Sequence, residues 1–265
     1  MSKIELEIKF DDDFQDTAEV WIRGFIEGIE QRFILDTGCS RTSLCFNDFS
    51  AKFNSLGERE YSSAFGKALS DFIEVKNISA GPIDLKNVLI SRTRKDGNDK
   101  NLFGMDLLKD SILHFLPGDK ALEIIPAFPQ DLVSEALYLD SGSIPFIELN
   151  FPDAKAIAVW DTGAGITIVD KHFFDSHLEF FDSYGMTTGT DSAGHTFETE
   201  IYRMKPINIY GLSFPAHRVV PLSLGHIADK TGRGMDFILG YSTLRHANWL
   251  MDFAGGRWAI TKTLF

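Results

Sequence analysis

The sequence predicts a mostly β protein built as two similar halves with only short helices, and three observations carry that expectation. Short runs rich in Val, Ile, Phe and Thr, bounded by Gly, Pro, Asn and Asp, recur along the 265 residues. Helical periodicity is weak and brief. The tripeptide Asp-Thr-Gly occurs twice, at Asp36 and Asp161, each time at the end of an apolar run.

Strand readings fall on AEVWIRGFI (18–26), FIEVKNISA (72–80), PFIELNF (145–151) and IYRMKPINIY (201–210). The 23 phenylalanines suit sheet faces packed on a core. Helices are expected near 104–114, 170–180 and 240–247. YSSAFGKALSDFIEV (61–75) and TTGTDSAGHTFETEI (187–201) each read as a hairpin, tipped by Gly66 and Gly194. SRTRKDGNDKN (91–101) reads as a solvated loop, and Asp11-Asp12-Asp13 as a solvated turn that lacks the rest of a calcium loop.

The repeat reaches beyond the tripeptides, whose offset is 161 − 36 = 125 residues. At ordinary residue usage, a chain of this length carries two such tripeptides by chance about once in five hundred. Upstream of each lies a β-rich stretch, WIRGFIEGI and IPFIELNFP; downstream comes an apolar-apolar-Gly element opening a short helix, in LFGMDLLKDSILHF and FILGYSTLRHANWLMDF. Asp36 precedes Gly104 by 68 residues, and Asp161 precedes Gly240 by 79. The expected organisation is an N-terminal lobe over 1–125, an interlobe linker over 126–143 and a C-terminal lobe over 144–265.

Charge and composition narrow the function classes. With 26 basic against 38 acidic side chains the formal charge is −12, which argues against a nucleic-acid partner. Hydrophobic content of 44% with 24% charged residues is that of a chain able to bury a substantial core. No run approaches a membrane span, and MSKIELEIKFDDDF lacks the regions of a signal peptide, so a cytoplasmic protein without a membrane partner is expected. Two cysteines, Cys39 and Cys45, are read as free thiols. His172 and His177 stand five apart without a metal-binding pattern, and no Gly-x-Gly-x-x-Gly or P-loop follows a strand. No metal and no cofactor are therefore expected. His195, near the second hairpin tip, reads as a surface histidine, and Trp160, on the opposite strand face from Asp161, as core.

An Asp that ends a buried strand and precedes Gly places its carboxylate at a tight turn, where backbone can approach a ligand closely. Two such residues on duplicated halves can be brought face to face. Like charges at hydrogen-bonding distance cannot both ionise, so the pair holds a shared proton and contains a general base and a general acid at once. That is the equipment for amide hydrolysis by water without a metal or covalent intermediate. Thr37 and Thr162, one residue on, are placed to tie the two loops together through hydroxyl-to-backbone bonds.

In these features the chain resembles the aspartic peptidases, the clan of pepsin-like and retropepsin-like enzymes. The resemblance runs from about Val20 to Phe265 and rests on Asp36-Thr37-Gly38, Asp161-Thr162-Gly163, Leu102-Phe103-Gly104 and Ile238-Leu239-Gly240. It implies two pseudo-twofold related, β-barrel-like lobes and an endopeptidase whose catalytic pair is Asp36 and Asp161. It further implies loop-locking roles for Thr37 and Thr162, and backbone offered to an extended protein or peptide substrate by Gly38 and Gly163. Phe65, Gly66, Ala193 and Gly194 would belong to flaps over the cleft. A chain that holds both halves would be active as a monomer. Cys39 and Ala164 stand where pepsin-like enzymes usually have a hydroxyl residue; fewer hydrogen bonds to the ionised dyad predict a working range nearer neutrality. Tyr61 reads as a strand residue and Cys39 as a packing residue. The resemblance also allows a non-catalytic descendant that holds extended peptides by strand-like pairing. An apolar, aromatic-rich cleft would favour hydrophobic side chains, and the acidic charge neutral or basic peptides.

Overall fold

Alternation sets the strand faces: in Ala18–Ile26, Ala18, Val20, Ile22, Gly24 and Ile26 point inward, and Glu19, Trp21, Arg23 and Phe25 outward. A computed structural model describes residues 3–62, 67–94, 99–151, 154–190, 196–225 and 234–265. The first half carries β1 (Lys3–Glu5), β2 (Glu7–Phe10), β3 (Ala18–Ile26), β4 (Ile29–Leu35), β5 (Ser43–Leu44), β6 (Glu58–Ser62), β7 (Lys67–Ala80), β8 (Ile83–Thr93), β9 (Asn101–Phe103), β10 (Ile112–Leu116) and β11 (Ala121–Ile125). The stretch 126–143 holds β12 (Glu135–Ala136) and β13 (Tyr138–Leu139). The second half opens with β14 (Pro145–Asn150), β15 (Lys155–Trp160), β16 (Thr167–Asp170) and helix α1 (Lys171–Ser176). It continues through β17 (Phe181–Thr190), β18 (Thr196–Met204), β19 (Ile207–Ile209), β20 (Leu212–Phe214), β21 (His217–Leu222) and β22 (Phe237–Leu239). Helix α2 (Tyr241–Leu244), β23 (Ala247–Asp252) and β24 (Arg257–Thr263) complete it. The fold is mostly β with short helices, as the strand runs predict. Among the described residues no helix is long and apolar enough to cross a membrane.

Three sheets organise these strands. One runs β2-β3-β4-β9-β5-β8-β7-β6, and the end of β3 also pairs with β7, Phe25 opposite Ser79, which curls the sheet back on itself. A second runs β17-β18-β21-β16-β22-β15-β14-β19-β20, with β13 joined to β14. The third, β1-β11-β10-β23-β24-β12, takes strands from both halves and from the stretch between them; its middle is the antiparallel pair β10–β23.

One pairing pattern occurs twice. β4 lies parallel to β9 with Leu35 opposite Phe103, and β15 lies parallel to β22 with Trp160 opposite Leu239. β5 then pairs antiparallel with β9 and parallel with β8, as β16 does with β22 and β21. The core runs unbroken between the halves. Trp160 is fully buried, with its ring 5.9 Å from Phe115 and 6.3 Å from Trp249, and Trp249 stacks on Trp258 at 5.6 Å.

The expected helices are shorter than their patterns suggest. Of 104–114, only the 3-10 turn Met105–Leu107 is helical, because Ile112–Leu116 pairs with β11 on one side and β23 on the other. Asp170 caps α1 by accepting from the His172 N–H at 2.9 Å, and a 3-10 turn, Leu178–Phe180, follows. Of 240–247, Tyr241–Leu244 is helical before β23 begins. The run 201–210 breaks at Lys205-Pro206 into β18 and β19, since proline lacks the ladder donor. Asp11 makes the expected turn, accepting from the N–H groups of Asp13 and Phe14.

Candidate active site

β4 and β15 each end against a partner strand that fixes the carboxylate which follows. The Asp36 N–H donates to Phe103 O at 3.0 Å, and the Asp161 N–H to Leu239 O at 3.1 Å. Each loop then wraps over the glycine of the apolar-apolar-Gly element. The Met105 N–H donates to Cys39 O at 2.9 Å, and the Tyr241 N–H to Ala164 O at 2.8 Å. A Cβ on Gly104 would lie 2.6 Å from the Arg41 carbonyl carbon, and one on Gly240 2.4 Å from Ile166 O, so only glycine fits at either place.

Thr37 and Thr162, both buried, lock the loops across the centre. The Thr37 hydroxyl donates to Trp160 O at 2.8 Å and accepts from the Thr162 N–H at 3.0 Å. Reciprocally, the Thr162 hydroxyl donates to Leu35 O at 2.7 Å and accepts from the Thr37 N–H at 3.2 Å. The glycines that follow are pressed against the opposite carboxyl groups. A Cβ on Gly38 would lie 2.2 Å from Asp161 Oδ2, and one on Gly163 2.4 Å from Asp36 Cγ.

Asp36 and Asp161 meet within hydrogen-bonding contact. Their surroundings differ. Asp161 Oδ1 accepts from the Gly163 N–H at 2.7 Å and the Gly38 N–H at 3.1 Å. Burial, then the facing Asp161 charge, push the Asp36 carboxyl well above the ordinary carboxylate range. Burial raises Asp161 too, but the N–H groups of Gly163, Gly38 and Ala164 and a hydrogen bond from Asp36 oppose it. N–H groups of Gly38 and Cys39 oppose the rise at Asp36 as well, and the pair as a whole holds one shared proton, with the two N–H bonds on Asp161 Oδ1 favouring Asp161 as the carboxylate.

Cys39 gives its thiol to Arg41 O at 3.1 Å rather than to a carboxylate, and burial above all pushes its pKa up. Trp160 is core, as its strand position predicts. His177 stacks on Phe180 and packs at a tilt on Phe173. Phe65, Gly66, Ala193, Gly194 and His195 lie outside the described residues, as does the side chain of Tyr61. The strands flanking the first four do pair antiparallel, Ser62 with Lys67 in β6–β7 and Thr190 with Thr196 in β17–β18.

Two further residues belong to the loops. Thr42 and Thr167, fully buried, receive the N–H groups of Gly104 and Gly240 on their hydroxyls, at 3.0 and 3.1 Å. Their separation, 167 − 42 = 125, is that of the two aspartates, and this equality was the available signal in the sequence. No protein-family model matches the chain, and no curated protein matches it at a significant level.

Proposed function

We propose that the chain is an aspartic-type endopeptidase that hydrolyses peptide bonds with a water activated by the Asp36/Asp161 pair. The observation that supports it most is the meeting of a buried and a half-buried carboxyl group whose surroundings differ. In this reading the Asp161 carboxylate takes a proton from the water as its oxygen attacks the scissile carbonyl carbon, while Asp36 donates its proton to the carbonyl oxygen. A neutral gem-diol results. On collapse, one diol hydroxyl returns its proton to Asp36, the proton on Asp161 passes to the amide nitrogen, and the C–N bond breaks. Both groups end as they began.

An extended peptide would lie along the backbone at Gly38 and Gly163, beneath the two hairpins, with apolar side chains beside the scissile bond. Since Asp36 and Asp161 come from one chain, a monomer suffices. The free thiols of Cys39 and Cys45 are in keeping with a cytoplasmic location.

The test is incubation with a mixed peptide library, with and without a transition-state mimic of the pepstatin type. Cleavage that the mimic blocks, and that Asp36→Asn and Asp161→Asn each reduce by about 10²–10⁴-fold, is the expected result. No cleavage, with unchanged peptide binding in both variants, would overturn it in favour of a peptide-binding module.

A further inference from the structure

The two Asp-Thr-Gly loops are anchored differently. In the first half the chain of hydrogen bonds is short: the Gly104 N–H donates to Thr42 Oγ1, and the Thr42 hydroxyl and N–H both donate to Asp106 Oδ1 at 2.8 Å. In the second half no carboxylate of the described residues bonds Thr167. Gly240 N–H donates to Thr167 Oγ1, Thr167 Oγ1 lies 2.6 Å from Thr243 Oγ1, and Thr243 Oγ1 lies 2.7 Å from His217 Nε2. His217 Nδ1 ends the chain 2.9 Å from Pro215 O. Ser242 braces it from the side, its hydroxyl oxygen accepting from the Thr167 N–H at 2.9 Å and its proton shared between Arg218 O and Thr167 Oγ1, each at 3.1 Å. His217, Thr167, Ser242 and Thr243 are all buried.

The chemistry of the ends gives this chain a direction. A carbonyl oxygen only accepts, so Nδ1 of His217 carries a proton; in the neutral ring Nε2 is then an acceptor and Thr243 must donate to it. Thr243 consequently accepts from Thr167, whose oxygen is free to receive Gly240 N–H. Every proton points from Gly240 toward Pro215.

We propose that His217 is a positioning residue for the second Asp-Thr-Gly loop. Neutral, it holds the Thr243–Thr167–Gly240 chain in register beneath Asp161; protonated, it reverses that chain and loosens the loop. With protons on both nitrogens the ring faces the Thr243 oxygen as a donor. Thr243 must then donate to Thr167, which reverses the Thr167–Ser242 bond as well and leaves Ser242 donating to Arg218 O alone, while the buried ring gains a charge that strains the segment around it. Gly240 is coupled to the dyad by its neighbours, because Leu239 O receives the Asp161 N–H and the Tyr241 N–H holds Ala164 O.

The surroundings oppose a charge on this ring. Among the described residues no carboxylate bonds either nitrogen. Its own strand supplies Arg218, which is paired with Asp16. The α2 side supplies Arg245 and His246, the latter ring 5.9 Å away. In β18 its partner Met204 stands between Arg203 and Lys205. Asp170 of β16 is in register with Leu222 at the far end of β21, where α1 begins. Burial pushes His217 down to about 4, and burial with the nearby His217 pushes His246 down to about 4 as well.

NMR titration of the purified protein from pH 7.5 to 3.5 tests this without relying on the peptidase reading, on which only its kinetic arm rests. The Gly240 amide signal is expected to move with the same midpoint as the His217 ring, with exchange protection at pH 4 at least about tenfold below that at pH 7 after correction for intrinsic exchange. In His217→Gln, which cannot take up a proton, the Gly240 signal should lose that midpoint. In the kinetic arm, the acid limb of kcat/KM should move to lower pH in this variant, with KM little changed. If His217→Gln does not fold, Thr243→Val, which cuts the chain but keeps its shape, should uncouple Gly240 from His217. A Gly240 amide unmoved while His217 titrates, or a titration near the ordinary 6.5, overturns the proposal. Absence of cleavage at every pH would sink the peptidase reading and leave the amide titration to decide this one.

Discussion

Thr37 and Thr162 satisfy each other completely: each hydroxyl accepts the other's N–H and donates to the carbonyl that precedes the other's aspartate. Thr162→Val keeps the shape but leaves Leu35 O and the Thr37 N–H buried and unpaired, at about 1–3 kcal/mol for each group. Urea unfolding should show a cost of that size for Thr37→Val and Thr162→Val and a smaller one for Thr→Ser. The two hydroxyls lie 3.4 Å apart, so the double Val variant should depart from the sum of the singles. Additive costs would mean that the two loops relax independently in solution.

Gly38 and Gly163 should tolerate nothing larger. An alanine Cβ at either position lands on the opposite carboxyl group, so Gly38→Ala displaces Asp161 and Gly163→Ala displaces Asp36. Turnover is expected to fall at least about 10²-fold in each, the scale of a misplacement near 1 Å. Far-ultraviolet circular dichroism should change little, and a variant with normal turnover would contradict the dyad geometry.

Asp36 should cost the protein stability at neutral pH. Burial and Asp161 raise its folded pKa, so the folded protein binds this proton more tightly than the unfolded chain does. The stabilisation from that proton is complete below the unfolded value near 3.8 and is lost as pH rises through the folded one. Asp36→Asn, which does not titrate, is expected to melt above the parent at pH 7, with the gap narrowing toward pH 4. Thermal melts across that range decide it.

His217 acts in the opposite sense. Its folded value of about 4 lies below the unfolded 6.5, so the unfolded chain binds the extra proton first and stability falls as pH drops from 6.5 to 4. The difference of about 2.5 units corresponds to about 3 kcal/mol. His217→Gln should flatten this part of the stability curve.

Turnover is expected to peak nearer neutrality than at strongly acid pH, since Cys39 spends its thiol on Arg41 O and gives the dyad no hydroxyl donor. Cys39→Ser supplies a stronger donor beside Asp36 and should shift the acid limb of kcat/KM downward. Parallel pH profiles of the two proteins measure this. Raised by burial, Cys39 should also alkylate more slowly than Cys45, as peptide mass mapping would show.

The elements legible in the sequence are those with local signals. The Asp-Thr-Gly tripeptides, the glycines after them and the Thr37–Thr162 lock follow from short motifs and one repeat offset. Thr42 and Thr167 carry no motif beyond their shared 125-residue offset, because a lone threonine says nothing until its partner glycine, more than sixty residues on, is known to fold beneath it. His217 was hidden for the same reason, its side-chain partner being Thr243, which in turn reaches back to Thr167. The apolar spacing of LFGMDLLKDSILHF suits a helix as well as a strand, and what decides is pairing with β23, far along the chain.

That pairing matters during synthesis. β10 is flanked by β11, which follows it at once, and by β23, which ends 252 − 116 = 136 residues later. At roughly 5–20 residues per second those residues take about 7 to 27 s to emerge from a ribosome. For that interval β10 offers a row of free N–H and C=O groups beside Leu113 and Phe115, a template for any nascent strand nearby. A chain interrupted before residue 247 keeps that edge open, and is expected to be captured by chaperones or to aggregate rather than persist as a half-sized protein.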